Sequence, residues 1–221
     1  RLVSIITLGC AKNLVDSERI LSSAIHNLGL EPTVDSKAAD LIVVNTCAFL
    51  TSAVEEAVEA IIDLGQIKKP GAKMAVIGCL PARYTGTERA DLAKGLPEVD
   101  LWVPPTDYPN LERLMSSLLM VESNIVESSF SSQNLPYGGR TLATPFYRAF
   151  LKIAEGCNNR CTYCLIPNLR GPLTSYPLEF LVHEAEQLAA GGVRELHLVA
   201  QDLTAYGTDR NQDNALVKLV R

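Results

Sequence analysis

The sequence predicts an α/β chain in two parts: an amino-terminal domain on a parallel sheet, then the beginning of a second (β/α) array. Three observations carry this. Apolar runs of strand length alternate with amphipathic stretches of helical length, the signature of parallel strands joined by crossover helices. Three of the early strand-like runs finish in a cysteine, at Cys10, Cys47 and Cys79. A Ser-, Asn- and Gly-rich stretch follows, and the alternation then restarts around Cys157, Cys161 and Cys164.

In chain order, residues 2–8 form a β-rich apolar run read as a buried strand. A helix follows from Asn13 or Asp16 to Leu28, with Leu14, Leu21, Ile25 and Leu28 as its apolar face and Gly29 as its stop. Residues 40–45 read as the second strand. Ser52 and Glu55 read as a capping box opening a helix with the stripe Val54, Ala57, Val58 and Ile61. Residues 73–77 read as the third strand, 87–95 as a short helix, 99–103 as a fourth strand and 111–118 as a helix begun by Asn110. Residues 122–144 read as a connector with one short strand at 124–126. A strand at 150–153 then leads into the Cys157 loop, and Pro167 and Pro172 are expected to keep the next segment irregular. A helix from Pro177 to Gly191 and a strand at 195–199 complete the pattern. The domain division expected is 1–120, a linker at 121–146, and 147–221 as the start of an incomplete second domain.

Composition narrows the class. Of 221 residues 47% are hydrophobic, so disorder is not the default, and the apolar runs are of strand length, too short for a membrane span. Lys and Arg number 20 against 25 Asp and Glu, a net charge of −5 that is not the footprint of non-specific phosphate binding. Six cysteines without a secretory leader suggest a reducing cytoplasm. The chain begins at Arg1 and stops inside an apolar pattern, so a fragment of a longer protein is expected.

The chemistry concentrates in the cysteines. Cys157-Asn-Asn-Arg-Cys161-Thr-Tyr-Cys164 brings three thiols into one short loop with no fourth nearby. Zinc with thiolates usually closes to four ligands, and disulfide frameworks belong to small secreted chains. Three thiolates on a [4Fe–4S] cube would instead leave one iron open. The parallel sheet makes the other three cysteines a group as well, because its strand carboxyl ends lie along one edge. Three buried strand-end thiols are the plain alternative. A second three-thiolate cluster accounts better for the repeated position.

The Cys157 spacing resembles the radical S-adenosylmethionine (SAM) enzymes. Leu8-Gly-Cys-Ala-Lys-Asn-Leu-Val-Asp-Ser-Glu18, Val44-Asn-Thr-Cys-Ala-Phe49 and Ile77-Gly-Cys-Leu80 resemble the amino-terminal domain of the methylthiotransferases within that superfamily. The resemblance implies a radical SAM partial (β/α) barrel in the second half. It also implies two [4Fe–4S] clusters, held by Cys157, Cys161 and Cys164 and by Cys10, Cys47 and Cys79. SAM would bind at the first, with Tyr163 beside its adenine, and the second would present sulfur to the substrate. Arg170 could steer the SAM carboxylate, and Gln201, at a strand end, could touch SAM or substrate. The wording at 11–16 and Gln201-Asp-Leu-Thr-Ala-Tyr-Gly207 resembles the branch that modifies an aspartate β-carbon of a small-subunit ribosomal protein. The tRNA-modifying branch is the alternative, as is a radical SAM enzyme whose amino-terminal domain only carries electrons. A reducing electron-transfer protein is the expected donor, and no membrane is implied.

Overall fold

The computed structural model describes residues 1–120 and 140–221. The short strand expected at 124–126 lies outside the described residues. The first half runs β1 (Leu2–Thr7), α1 (Ala11–His26), β2 (Glu31–Pro32), β3 (Leu41–Thr46), α2 (Thr51–Ile67), β4 (Lys73–Gly78), α3 (Cys79–Arg83), α4 (Gly86–Gly95), β5 (Leu101–Val103), a 3-10 turn at Pro105–Asn110, and α5 (Leu111–Leu119). Its sheet has five strands in the order β2-β1-β3-β4-β5, all parallel. β3 lies at the centre and is buried along its whole length, which is why its sequence is an unbroken apolar run before Asn45 and Thr46.

Side chains alternate across this sheet. Leu41, Val43, Ala75 and Ile77 pack with Ile20 and Ala24 of α1 and with Leu111 and Met115 of α5. Ile42, Val44, Met74 and Val76 pack on the other face with Ala57, Ile61 and Leu64 of α2 and with Leu80 of α3.

The second half runs β6 (Arg148–Lys152), β7 (Ala154–Glu155), α6 (Ile166–Arg170), β8 (Thr174–Ser175), α7 (Leu178–Ala190), β9 (Glu195–Val199), a 3-10 turn at Thr208–Arg210, and α8 (Ala215–Val220). β6 and β9 pair in parallel across α7, the first repeat of a (β/α) array, and β7 pairs antiparallel with β8. Leu151, Ile153, Tyr176, Phe180 and Leu181 form its core. Leu169 of α6 joins the α2 side of the first core, so the two halves share packing.

Asn110 stands at the start of α5 as expected. Three expectations are corrected. Ser52 is no cap: α2 starts at Thr51, and Ser52 lies one residue inside it with no side-chain cap bond at the helix start. The segment after Cys164 is not irregular, because Pro167 sits in the first turn of α6, where its missing N–H costs nothing. The third concerns α1, which buries Asn13, Asp16, Ser17, Glu18 and Ser23 beside Val15, Ile20 and Ala24, while Leu14, Leu21 and Ile25 are only partly covered. Much of that polar face meets the second half of the chain.

Candidate metal centres

The register of the sheet places the early cysteines. Thr46 pairs with Gly78, so Cys47 and Cys79 are the next residues off two neighbouring strand ends. Thr7 pairs with Asn45, and Leu8 N–H continues the ladder to the Asn45 carbonyl at 2.8 Å. Gly9 then turns the chain with φ +93°, and Cys10 follows. A Cβ on Gly9 would stand 2.6 Å from Cys47 Cβ and 3.4 Å from its Sγ. Only glycine lets the β1 turn come this close to Cys47.

Three buried polar side chains lace the strand ends together. Asn13 Nδ2 donates to the Leu8 carbonyl at 2.9 Å and the Thr46 carbonyl at 3.0 Å. Asn45 Nδ2 donates to the Asn13 carbonyl at 2.8 Å. Thr46 Oγ1 donates to the Ile77 carbonyl at 2.7 Å and accepts from Leu80 N–H at 3.2 Å. These residues flank the cysteines in sequence, but their role is bracing across strands rather than capping a helix. Burial pushes the Cys79 thiol up, Arg170 opposes it, and the sulfurs of Cys47 and Cys10 push it further up. The three sulfurs are therefore electrostatic neighbours. Cys79 is buried, Cys47 half-buried and Cys10 exposed, so the group opens on one side.

The Cys157 loop is closed by backbone contacts. Cys157 N–H donates to the Gly171 carbonyl at 3.2 Å and Cys164 N–H to the Cys161 carbonyl at 3.0 Å. A Cβ on Gly156 would fall 2.1 Å from the Pro172 carbonyl oxygen, so this crossing also demands glycine. Asn158 Oδ1 accepts from Leu173 N–H at 3.0 Å, and Asn159 Nδ2 donates to Asp202 at 2.9 Å, tying the loop to the end of β9. Asn159 N–H points at Cys157 Sγ, 3.4 Å away. A backbone donor on a ligand sulfur tunes a bound cluster.

All six cysteines are free thiols. Among the described residues no three His, Cys, Asp or Glu side chains stand close enough to share one metal ion. A cubane takes one thiolate per iron at separate corners and asks for a wider triangle. Strand-end thiols on adjacent strands, with glycine turns and one open side, suit that demand.

The remaining residues expected at the site divide. Tyr163 is 81% exposed, its ring uncovered beside Cys164. Gln201 donates from Nε2 to Glu155 Oε1 at 2.7 Å, and its own Oε1 is buried without a partner. Arg170 is 1% exposed at its side chain and turned inward, where Asp16, Glu155 and Asn13 take up the guanidinium.

Sequence reasoning missed that inner network. Lys152 Nζ contacts Asp16 Oδ1 and lies 2.9 Å from Glu155 Oε2, while Arg170 Nη1 lies 2.9 Å from Asp16 Oδ2. Burial alone would raise the Glu155 carboxyl, but Lys152 and Arg170 hold it well below the usual carboxylate range. A cavity of about 260 Å³ borders the network, lined in part by Arg19, Tyr108, Lys152, Arg170 and Tyr176. The available signals were Lys152 at the end of a buried strand and Glu155 two residues before Cys157.

Comparison with known proteins agrees with this layout. Residues 2–104 match the uncharacterized protein family UPF0004, and residues 151–217 match the Radical SAM superfamily. Solved structures of the radical SAM methyltransferase TsrM from Kitasatospora setae share the fold. One, with tryptophan substrate and a SAM analog bound, gives a TM-score of 0.60 at 16% identity; another, with cobalamin and a [4Fe-4S] cluster, gives 0.63 at 15%. Each covers 99% of this chain and 50% of the solved chain. In fold the chain is similar to these radical SAM structures, and its two halves match the two families in that order.

More particularly, it is similar to the ribosomal protein uS12 methylthiotransferases RimO. It is 45% identical to that of Trichlorobacter lovleyi, 44% to that of Desulfotalea psychrophila and 42% to that of Geobacter sulfurreducens, over 98–99% of the chain. The chain spans about half the length of these curated relatives, 48% in each case.

Proposed function

We propose that this chain forms the cluster-bearing part of a radical SAM methylthiotransferase that modifies an aspartate β-carbon in a small-subunit ribosomal protein. The observation that carries the proposal is the convergence of Cys10, Cys47 and Cys79 at one sheet edge, joined through a buried ion network to the Cys157 loop. The RimO relatives, matched over nearly the whole chain, favour the ribosomal-protein substrate. In this reading residues 1–120 carry the first centre, 121–146 link, and 147–221 open the SAM-binding barrel. A reducing electron-transfer protein serves as donor and the protein works in the cytoplasm. Among the described residues no helix is long and apolar enough to cross a membrane.

Cys157, Cys161 and Cys164 would hold one [4Fe–4S] cluster, and Cys10, Cys47 and Cys79 the other. When bound, the clusters and SAM supply radical abstraction of hydrogen from an unactivated carbon and a sulfur to place on it. The chain's own residues do the positioning. Asn13, Asn45 and Thr46 fix the three strand ends relative to one another, so the early thiols keep their spacing. Glu155 pins Gln201, whose carbonyl oxygen is a buried acceptor without a partner, chemically suited to an ammonium or hydroxyl of SAM. Tyr163 offers an open ring face for adenine stacking. The burial of Cys79 keeps water from the sheet side of the first centre, and the exposed Cys10 and Cys161 leave each centre an opening for its ligand.

The test is anaerobic reconstitution with iron, sulfide, SAM and a low-potential reductant, followed by mass spectrometry of the isolated ribosomal protein. Gain of one methylthio group in place of hydrogen on an aspartate is expected. The same gain on tRNA and not on the protein would overturn the substrate, and SAM cleavage without any such gain would overturn the reaction.

A further inference from the structure

Arg170 comes from the second half of the chain, six residues after Cys164, yet its guanidinium ends in the first half. Nη1 bonds Asp16 of α1 at 2.9 Å and Glu155 at 3.2 Å, and Nη2 bonds Asn13 Oδ1. Asn13 Oδ1 in turn lies 3.7 Å from Cys10 Sγ, and Asn13 Nδ2 braces the end of β3 beside Cys47. On the other side, Gly171 next to it accepts the Cys157 N–H, and Glu155 lies two residues before that cysteine. A single buried cation therefore reaches the surroundings of both cysteine groups.

The charges around it balance. Asp16 and Glu155 are matched by Lys152 and Arg170, with Lys152 bonding the same two carboxylates. Other cations stand near the first group: Lys12 lies two residues after Cys10 in the first turn of α1, and Arg83 donates to the Ala48 carbonyl at 2.7 Å. Neither joins the two groups. A fork of separate N–H donors is needed to hold Asp16, Glu155 and Asn13 at once, which a lysine ammonium cannot match in geometry.

We propose that Arg170 is a positioning residue that fixes the first cysteine centre against the second and raises the reduction potential of the first. This rests on the reading that both groups hold iron–sulfur clusters. A fixed positive charge beside a cluster stabilises its reduced, more negative state, so losing the charge makes reduction harder.

The test uses the whole chain with Cys157, Cys161 and Cys164 changed to Ala, so that only the first centre remains. Its potential is followed by electron paramagnetic resonance during an anaerobic redox titration. Arg170→Met is expected to keep about four irons per chain but shift the potential to more negative values. Adding Asp16→Asn to it restores the charge balance and should bring the potential back toward that of the parent. Asp16→Asn alone, which leaves Arg170 in place, should shift it the other way. Arg170→Lys keeps the charge and should move the potential less than Arg170→Met, which keeps the proposal testable if the Met variant does not fold. Equal potentials in the parent, the Asn variant and whichever Arg170 variants fold would overturn it. A Lys variant shifted as far as the Met variant would also do so. Failure of the parent itself to take up iron would overturn the cluster reading, and this proposal with it.

Discussion

At the residue scale, the cysteines depend on small and buried neighbours as much as on their own placement. Gly9 and Gly156 each occupy a left-handed turn where a methyl group would strike the opposing chain. Asn13 and Asn45 are fully buried polar residues whose bonds tie the start of α1 to the end of β3. A similar economy holds at the opposite end of the sheet. Asp100 Oδ2 accepts from Met74 N–H at 2.9 Å and its Oδ1 from Lys73 Nζ at 2.8 Å, pinning the start of β4 beside β5. Burial pushes the Asp100 carboxyl up, but these bonds outweigh it and hold it below the usual range. A depressed folded value means the stabilisation is whole above the unfolded pKa of about 3.9 and is lost as pH falls below that through the folded value. Asp100→Asn should cost about 1 kcal/mol at pH 7 in urea unfolding, since the group is partly solvated. The difference from the parent should narrow as pH drops below about 4.

At the element scale, α1 joins the two halves. Its sequence shows Leu14, Leu21, Ile25 and Leu28 at helical spacing, and apolar periodicity points to that stripe. Only Leu28 among them is fully buried, because the helix is covered from two sides. The sheet takes Ile20 and Ala24, and the second half of the chain takes Asp16, Glu18 and Arg19. Arg140 Nε lies 2.9 Å from Glu18 and its Nη1 2.8 Å from Glu184, while Arg19 lies 2.8 Å from Glu184. Periodicity registers one buried face per helix and is blind to a polar face that meets charges distant in sequence. The strands were legible for the converse reason: β3 and β4 are buried on both faces and β1 is covered on both, so their apolar runs are long. β2, β7 and β8 are two residues each, too short to leave a pattern. Burial pushes the Glu18 carboxyl up in spite of Arg140, so this seam carries a real desolvation cost. Removing one partner is then worse than removing both. Arg140→Met should destabilise by about 3 kcal/mol, and Glu18→Gln in the same chain should recover at least about 1 kcal/mol. Guanidinium unfolding of the two single variants and the double variant measures this; strict additivity would contradict it.

At the scale of the whole molecule, two α/β units meet where their cysteines are. The parallel sheet delivers three thiols to its carboxyl edge by topology alone, which is why that group was legible from strand-end positions. The Cys157 loop was legible from spacing. The charged bridge between them was not, because its members Asp16, Lys152, Glu155 and Arg170 come from four separate elements and match only in space. Arg170 shows the limit plainly: a residue next to a ligand loop in sequence invites a ligand role, and here folding turns it toward the other half. The balance of charges lets these groups be buried without leaving any of the four uncompensated.

The most direct measurement is iron content after anaerobic reconstitution, made on the parent chain and on a variant with Cys10, Cys47 and Cys79 all changed to Ala. Two cubanes predict about eight irons for the parent and about four for the variant. An equal count of about four in both, with the same spectrum, would mean the strand-end thiols hold nothing.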